Sequence, residues 1–173
     1  MNSLPEVRQT MQKRSSYHLA QINVARLLAP LDAPSTAEFR DNLDRINVIA
    51  EASPGFIWRL QSDDSKVFEM PDSIDPLLII NQSVWSGVEE LKQFAYHTEH
   101  VDFYRKRKNW FERPQQAHMA LWWIPVGHQP DALEGLSRLR LLRKKGESKL
   151  AFSFRKMFEP PLAQSIHPDF RTS

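Results

Sequence analysis

The chain contains no cysteine among its 173 residues. Without thiols it cannot form a disulfide, bind a metal through thiolates or use a cysteine nucleophile. A cysteine-free sequence suits a reducing compartment, so we expect a cytoplasmic protein.

Long apolar runs are also missing. The longest one is far below the ~18 residues that a membrane-spanning helix needs, and residues 1–16 lack the apolar block of a secretion signal. We therefore expect no membrane partner.

The chain carries little excess charge. It has 23 Lys and Arg against 21 Asp and Glu, a formal net charge of +2, whereas a nucleic-acid-binding domain usually concentrates much more positive charge. Two basic clusters, 105–108 and 138–145, fall in the last turns of predicted helices, where cations offset the helix dipole. The alternative is a phosphate-binding surface, but neither cluster is interleaved with glycine or stacking aromatics. We expect no nucleic-acid partner.

Apolar periodicity predicts an alternation of strands and helices in one domain, residues 17–159. We expect residues 1–16 to form a mobile arm and residues 160–173 a tail. The predicted strands are 17–27, 56–61, 66–70, 77–85, 118–126 and 151–158, and the predicted helices are 35–52, 86–113 and 131–146. Ser35 with Glu38, and Asp131 with Glu134, are typical of helix caps, and Gly55 allows the first helix to end. We expect Leu133 on the inward side of the last helix.

This order predicts an α+β fold with a ferredoxin-like βαββαβ core, an added helix and a C-terminal strand. Such a core places its helices on one face of an antiparallel sheet. The pairs Trp122 and Trp123, and Phe56 and Ile57, put large apolar groups on both faces. We therefore expect a homodimer, a dimeric α/β barrel, in which a second copy covers the other face.

Polar residues interrupt two predicted strands. Gln21 and Asn23 share one face of the first strand, so they either line a polar pocket or face water. The central strand carries Asn81 and feeds a helix with His97 and His100 on its flank. Those two histidines are three residues apart, but no third ligand accompanies them, and we expect no metal site.

Several segments resemble the DUF3291 family, over about residues 17–158. They are SPGFIWRLQ (53–61), INQSVWSGVEEL (80–91), FAYHTEH (94–100), NWFER (109–113) and ALWWIPVGHQP (120–130). The family's fold is similar to that of the dimeric α/β-barrel superfamily, which includes antibiotic-biosynthesis monooxygenases, heme-degrading oxygenases, isomerases and polyketide cyclases. In that superfamily ligands lie between sheet and helices or inside the barrel.

The resemblance implies a small-molecule enzyme acting on a hydrophobic, aromatic or polyketide-like compound. The implied reaction is cofactor-independent oxygenation, or isomerisation or cyclisation, with no cofactor. The alternative is a non-catalytic small-molecule-binding or assembly module. Heme degradation fits less well: Asn23 matches an asparagine of that branch, but alignment on Trp85 puts Phe94 and Tyr104 where it has tryptophan and histidine. Tyrosine can ligate heme iron, so Tyr104 keeps that alternative open.

The candidate site lies between the flank of the second long helix and the sheet. His100 is the candidate acid, base or hydrogen-bonding group, because imidazole titrates near neutrality. The candidate ligand-binding residues are Asn23, Trp58, Arg59, Asn81, Trp85, His97 and Tyr104.

Each candidate also has a structural interpretation. His100 can bond a backbone carbonyl, and the tryptophans can be core residues whose indole groups are answered by the amides. Arg59 is either an anion anchor or a solvated partner of Asp63 or Asp64. No serine triad, glycine-rich phosphate loop or nucleotide motif is present.

Overall fold

The computed structural model describes residues 16–61, 75–97 and 105–161. Four strands and three α-helices make up its regular part. The strands are β1 (Tyr17–Arg26), β2 (Phe56–Arg59), β3 (Leu78–Trp85) and β4 (Met119–Pro125), and the helices are α1 (Ala37–Glu51), α2 (Val88–His97) and α3 (Ala132–Lys145). Two short 3₁₀ helices, Pro34–Thr36 and Arg107–Asn109, precede α1 and β4.

The four strands form one antiparallel sheet in the order β2-β3-β1-β4. With α1 between β1 and β2, and α2 between β3 and β4, this is the ferredoxin-like βαββαβ arrangement. The predicted α+β fold class is confirmed. In the centre of the sheet, Gln21 of β1 lies between Ser83 of β3 and Leu121 of β4.

The two faces of the sheet pack against different helices, and we name them the α3 face and the α1/α2 face. Alternate residues of each strand belong to alternate faces. The buried cluster on the α3 face consists of Ala20, Ile22, Val24, Val84, Ala120, Trp122, Ile124, Leu139, Leu142 and Ala151. The buried cluster on the α1/α2 face consists of Leu19, Ala50, Trp85, Leu91, Leu121 and Phe152.

Helix α3 is anchored at its N-terminus to the middle of the sheet. The carboxylate of Asp131 accepts a hydrogen bond from the backbone N–H of Glu134 at 2.8 Å, as the sequence predicted. Gln82 of β3 donates through Nε2 to the carbonyls of Pro130 (2.7 Å) and Asp131 (3.0 Å). A Cβ on Gly135 would come within 1.9 Å of Gln82 Oε1, so this close approach requires glycine.

The position of α3 corrects the expectation that a second copy covers this face. The chain after β4 folds back over its own sheet, and Trp122 donates its indole N–H to Glu134 of α3 at 2.9 Å. Helix α3 of the same chain therefore covers this face of the sheet. A homodimer stays a prediction. Leu133, expected to point inward, is half exposed.

The start of α1 also differs from expectation. The predicted Ser35 and Glu38 capping box does not form, because Thr36 is the N-cap and makes no side-chain cap bond. Its hydroxyl instead contacts the carbonyls of the preceding loop, at Pro30, Leu31 and Ala33. The end of α1 follows the prediction, since Gly55 adopts φ +78.

The predicted C-terminal strand 151–158 is not a regular strand. It makes isolated bridges, Leu121 with Phe152 and Ser153 with Lys156. The carboxylate of Glu147 accepts bonds from both the backbone N–H and the hydroxyl of Ser153, each at 2.7 Å, and these replace ladder bonds. The predicted strand 66–70, and most of the predicted arm and tail, lie outside the described residues.

Candidate functional site

A cavity of about 1050 Å³ lies on the α1/α2 face of the sheet. Sites for small organic ligands typically measure ~300 to 1000 Å³, so this cavity is large enough for one. The strands contribute Gln21, Asn23, Phe56, Arg59, Asn81, Ser83, Trp85 and Met119 to its walls. The helices contribute Ile46, Asn47, Ala50, Leu91, Phe94, Ala95 and Tyr96, and the segments 105–118 and 146–155 supply further lining residues.

Three hydrogen bonds join the polar side chains of the cavity floor. Gln21 donates through Nε2 to Oδ1 of Asn81 and to Oγ of Ser83, both at 3.0 Å. Ser83 also accepts the indole N–H of Trp85 at 2.9 Å. The mid-strand amides therefore line a polar pocket, one of the two alternatives for Gln21 and Asn23. The indole of Trp85 is satisfied by a serine and not by an amide.

The two buried members of this network, Gln21 and Ser83, leave one acceptor and one donor without a partner among the described residues. Both amide hydrogens of Gln21 are engaged, so its Oε1 is available as an acceptor. Ser83 Oγ accepts two bonds, which leaves its own O–H as a donor. Gln21 and Ser83 are each only 7% exposed. Buried polar groups are normally satisfied, so this pair is where a polar ligand atom would be stabilised.

One end of the cavity is aromatic. The ring of Phe94 is stacked on Trp85 at 5.1 Å with an interplanar angle of 24°. Phe56 meets Trp85 edge-on at 5.4 Å and 87°. Leu91 of α2 closes the same cluster. Trp85 is 0% exposed beneath these rings, so the half-buried rings of Phe94 and Phe56 provide the apolar surface that an aromatic ligand would contact.

His118 lies at the other end of the cavity, just before β4. Burial lowers the pKa of its imidazole, and the positive charges of Arg107 and Arg143 lower it further. A lowered pKa means that the ring is neutral near pH 7 and can accept a proton. His118 was not among the residues singled out from the sequence. Its neighbour Met119 pairs in register with Asn23, and strand alternation would place His118 on the opposite face, so the sequence pattern offers no signal for it.

Charge around the cavity is mostly positive. Among the described lining residues the arginines are Arg59, Arg105, Arg107, Arg113 and Arg155, and the carboxylate is Glu147, which binds Ser153. Arg59 donates to Glu51 of α1 at 2.7 Å. The proposed partners Asp63 and Asp64 lie outside the described residues.

The sequence-predicted site residues fall into three groups. Asn23, Arg59, Asn81 and Trp85 line the cavity together. Trp58 does not: a register shift between Phe56 and Trp58 turns it to the α3 face, where it packs on the core of that side.

The remaining candidates are on or after α2. His97 is exposed and is not among the cavity-lining residues. His100 and Tyr104 lie outside the described residues, so their roles stay predictions. Within the described ranges no group of three or more His, Asp or Glu side chains could hold a metal ion.

Residues 18–168 match the model of a protein family described as a domain of unknown function, DUF3291. The chain belongs to the DUF3291 family. No curated protein sequence matches this DUF3291 chain. Among the described helices, none has the length and apolar character needed to cross a membrane.

Solved structures with similar folds share little sequence with this DUF3291 protein. A protein of unknown function from Nitrosomonas europaea, NE2512, has a TM-score of 0.42 at 10% identity, over 67% of this chain and 95% of its own. SnoaB, a cofactor-independent oxygenase from Streptomyces nogalater, has 0.39 at 11%, over 66% and 96%. A protein from Chloroflexus aurantiacus J-10-fl, provisionally assigned as an antibiotic biosynthesis monooxygenase, has 0.40 at 19%, over 65% and 97%. Similarity at this level carries no argument about activity.

Proposed function

We propose that this protein is a small-molecule enzyme whose substrate is a hydrophobic aromatic compound bound in the cavity on the α1/α2 face. The observation that carries the proposal is the buried donor and acceptor pair, Ser83 O–H and Gln21 Oε1, beside the ring of Trp85. An aromatic ring against Phe94 and Phe56, which cover Trp85, with a carbonyl or hydroxyl at Ser83, would satisfy both kinds of lining.

The reaction class follows from the titratable group in the cavity. A neutral imidazole such as His118 can remove a proton from a bound substrate. Proton removal is a common first step of isomerisation and cyclisation, and it also produces the electron-rich anion that reacts with oxygen in cofactor-independent oxygenation. Without a titratable group the cavity would favour a binding module. His118 therefore supports the enzyme.

Three further predictions from the sequence are also part of what we propose. They are a role for His100 as an additional proton-transferring group, a homodimer, and a cytoplasmic location.

The aromatic ketone 2-tetralone tests binding and proton transfer together. We expect the protein to bind it in calorimetry, and we expect Ser83→Ala to weaken that binding about tenfold because the carbonyl loses its donor. Ser137→Ala, on the exposed side of α3, is the matched control and should bind like the wild type. If Ser83→Ala binds 2-tetralone as tightly as the wild type does, the assigned position of the ligand is wrong.

The second half of the test follows exchange of the α-protons of 2-tetralone with D₂O by proton NMR. The wild type should accelerate exchange, and His118→Ala should lose about a hundredfold of that acceleration. The same assay on His100→Ala tests the sequence-based prediction. Binding without acceleration would show a binding module, and an absence of binding at about millimolar 2-tetralone would reject the cavity as its site.

A further inference from the structure

Resting on the proposed function, we propose that the substrate is an aromatic acid, whose anionic group lies at the end of the cavity formed by Arg107, Arg113 and His118. Such an acid would be recognised at two ends of the cavity, by its ring at the aromatic end and by its charge at the opposite end.

The balance of charge at the cavity differs from that of the whole chain. The chain as a whole is nearly neutral, with 23 basic and 21 acidic residues. Among the described residues, five arginines and one glutamate line the cavity, and one of these arginines, Arg59, is paired with Glu51. The lining glutamate, Glu147, already accepts two bonds from Ser153. Positive charge gathered in a concave site attracts an anionic ligand, because low-dielectric walls focus the field.

The positive potential acts on a neighbouring side chain, His118. Arg107 and Arg143 both contribute to the lowered pKa of His118, so positive potential reaches the imidazole. Arg113 lines this cavity and also the adjoining groove that contains His118 and Arg143. The carboxylate of that groove, Glu112, binds Arg26. An anion bound here would offset the positive charge around His118.

The groups at the two ends of the cavity indicate which kind of anion would bind. Guanidinium groups match carboxylate and phosphate through paired hydrogen bonds. The aromatic end of the cavity, where Phe94 and Phe56 cover Trp85, offers an apolar surface that suits a flat apolar body on the same molecule. A nucleic-acid backbone would need an extended basic groove, whereas this space lies between helices and sheet. A flat aromatic carboxylate satisfies both ends.

Two probes that differ in charge but share a ring system test the inference. Binding of 2-naphthoate and of the uncharged 2-naphthalenemethanol is measured by calorimetry at low salt. We expect the wild type to bind naphthoate at least about tenfold more tightly, and we expect that preference to shrink between about 50 and about 200 mM salt because charge is screened.

The variant Arg107→Gln/Arg113→Gln should lose the preference while still binding the alcohol like the wild type. Arg140→Gln, on the exposed face of α3, is the matched control and should keep the preference. Arg113→Gln alone provides a milder variant if the double variant melts at a lower temperature. It should lose part of the preference.

The outcomes separate the two proposals. Equal binding of both probes by the wild type would overturn the acid and leave the aromatic site standing. A preference that survives the double variant would overturn the arginine assignment. Failure of both probes to bind would overturn the proposed function and this inference with it.

Discussion

Two glutamines in neighbouring strands show how differently the two faces of the sheet use the same side chain. Gln82, on the α3 face, is 1% exposed and donates both amide hydrogens to carbonyls at the start of α3. Gln21, on the α1/α2 face, is 7% exposed and donates to side chains in the floor of a cavity. The first amide fixes a helix to the sheet. The second amide leaves its Oε1 oxygen available to a ligand in the cavity.

The largest expected effect is on the α3 face. Gln82→Ala removes two bonds, leaves the carbonyls of Pro130 and Asp131 without their donor, and opens a hole under α3. We expect the free energy of unfolding to fall by about 2 to 4 kcal/mol. The oxygen Oε1 has no hydrogen-bond partner among the described residues, so its removal offsets part of the loss. Urea denaturation measures the change, with exposed Gln93→Ala as the control. A loss below about 0.5 kcal/mol would contradict this anchoring role.

A smaller effect on stability is expected at the matched position on the other face. In Gln21→Ala, cavity water can replace the bonds to Asn81 and Ser83, so we expect a loss below about 1 kcal/mol. Affinity for 2-tetralone should fall about tenfold, because the floor no longer positions Ser83. Calorimetry and denaturation of the same sample separate the two effects. If Gln21→Ala destabilises as much as Gln82→Ala, the distinction between the faces is wrong.

The smallest effect concerns the pH dependence of stability. Burial first, and then Arg107 and Arg143, hold the folded pKa of His118 below the 6.5 that is usual for a free imidazole. Between the folded pKa and 6.5 the unfolded chain binds more protons, so stability from this group is present above about pH 6.5 and is lost as the pH falls through the folded pKa.

His118→Asn should therefore flatten the fall of the melting temperature between about pH 7 and about pH 5. His18, which faces the α3 side, also has a pKa lowered by burial, and His18→Asn is the comparison on that face. Added 2-naphthoate should weaken the His118 contribution and leave that of His18 unchanged. An unchanged pH profile in His118→Asn would contradict the assignment.

The sequence allowed the core of the fold to be predicted because its signals were local. Alternation marked β1 and β4, the Asp131 cap marked the start of α3, and Gly55 marked the end of α1. One error arose where a long-range choice decided. No periodic pattern says whether an apolar sheet face is covered by a second copy or by α3. A second error was local: Glu147 lies just before the predicted strand and accepts two bonds from Ser153, and the alternation of apolar residues does not reveal such side-chain bonds.

Part of the site could also be predicted. Amides in mid-strand break the rule that strand interiors are apolar, and that rule led to Gln21, Asn23 and Asn81. A register shift in β2 moved Trp58 to the other face, since one residue of slip reverses every side chain. The importance of His118 depends on its burial and on Arg107 and Arg143, which only the folded chain brings near it.

The cover that α3 gives its own sheet has a consequence for assembly. A domain that completes a core layer with a second copy gains stability only when copies meet, so its folding depends on protein concentration. Here Gln82, Gly135 and the buried side of α3 complete that layer within one chain. The free energy contributed by this layer therefore does not depend on the concentration of the protein.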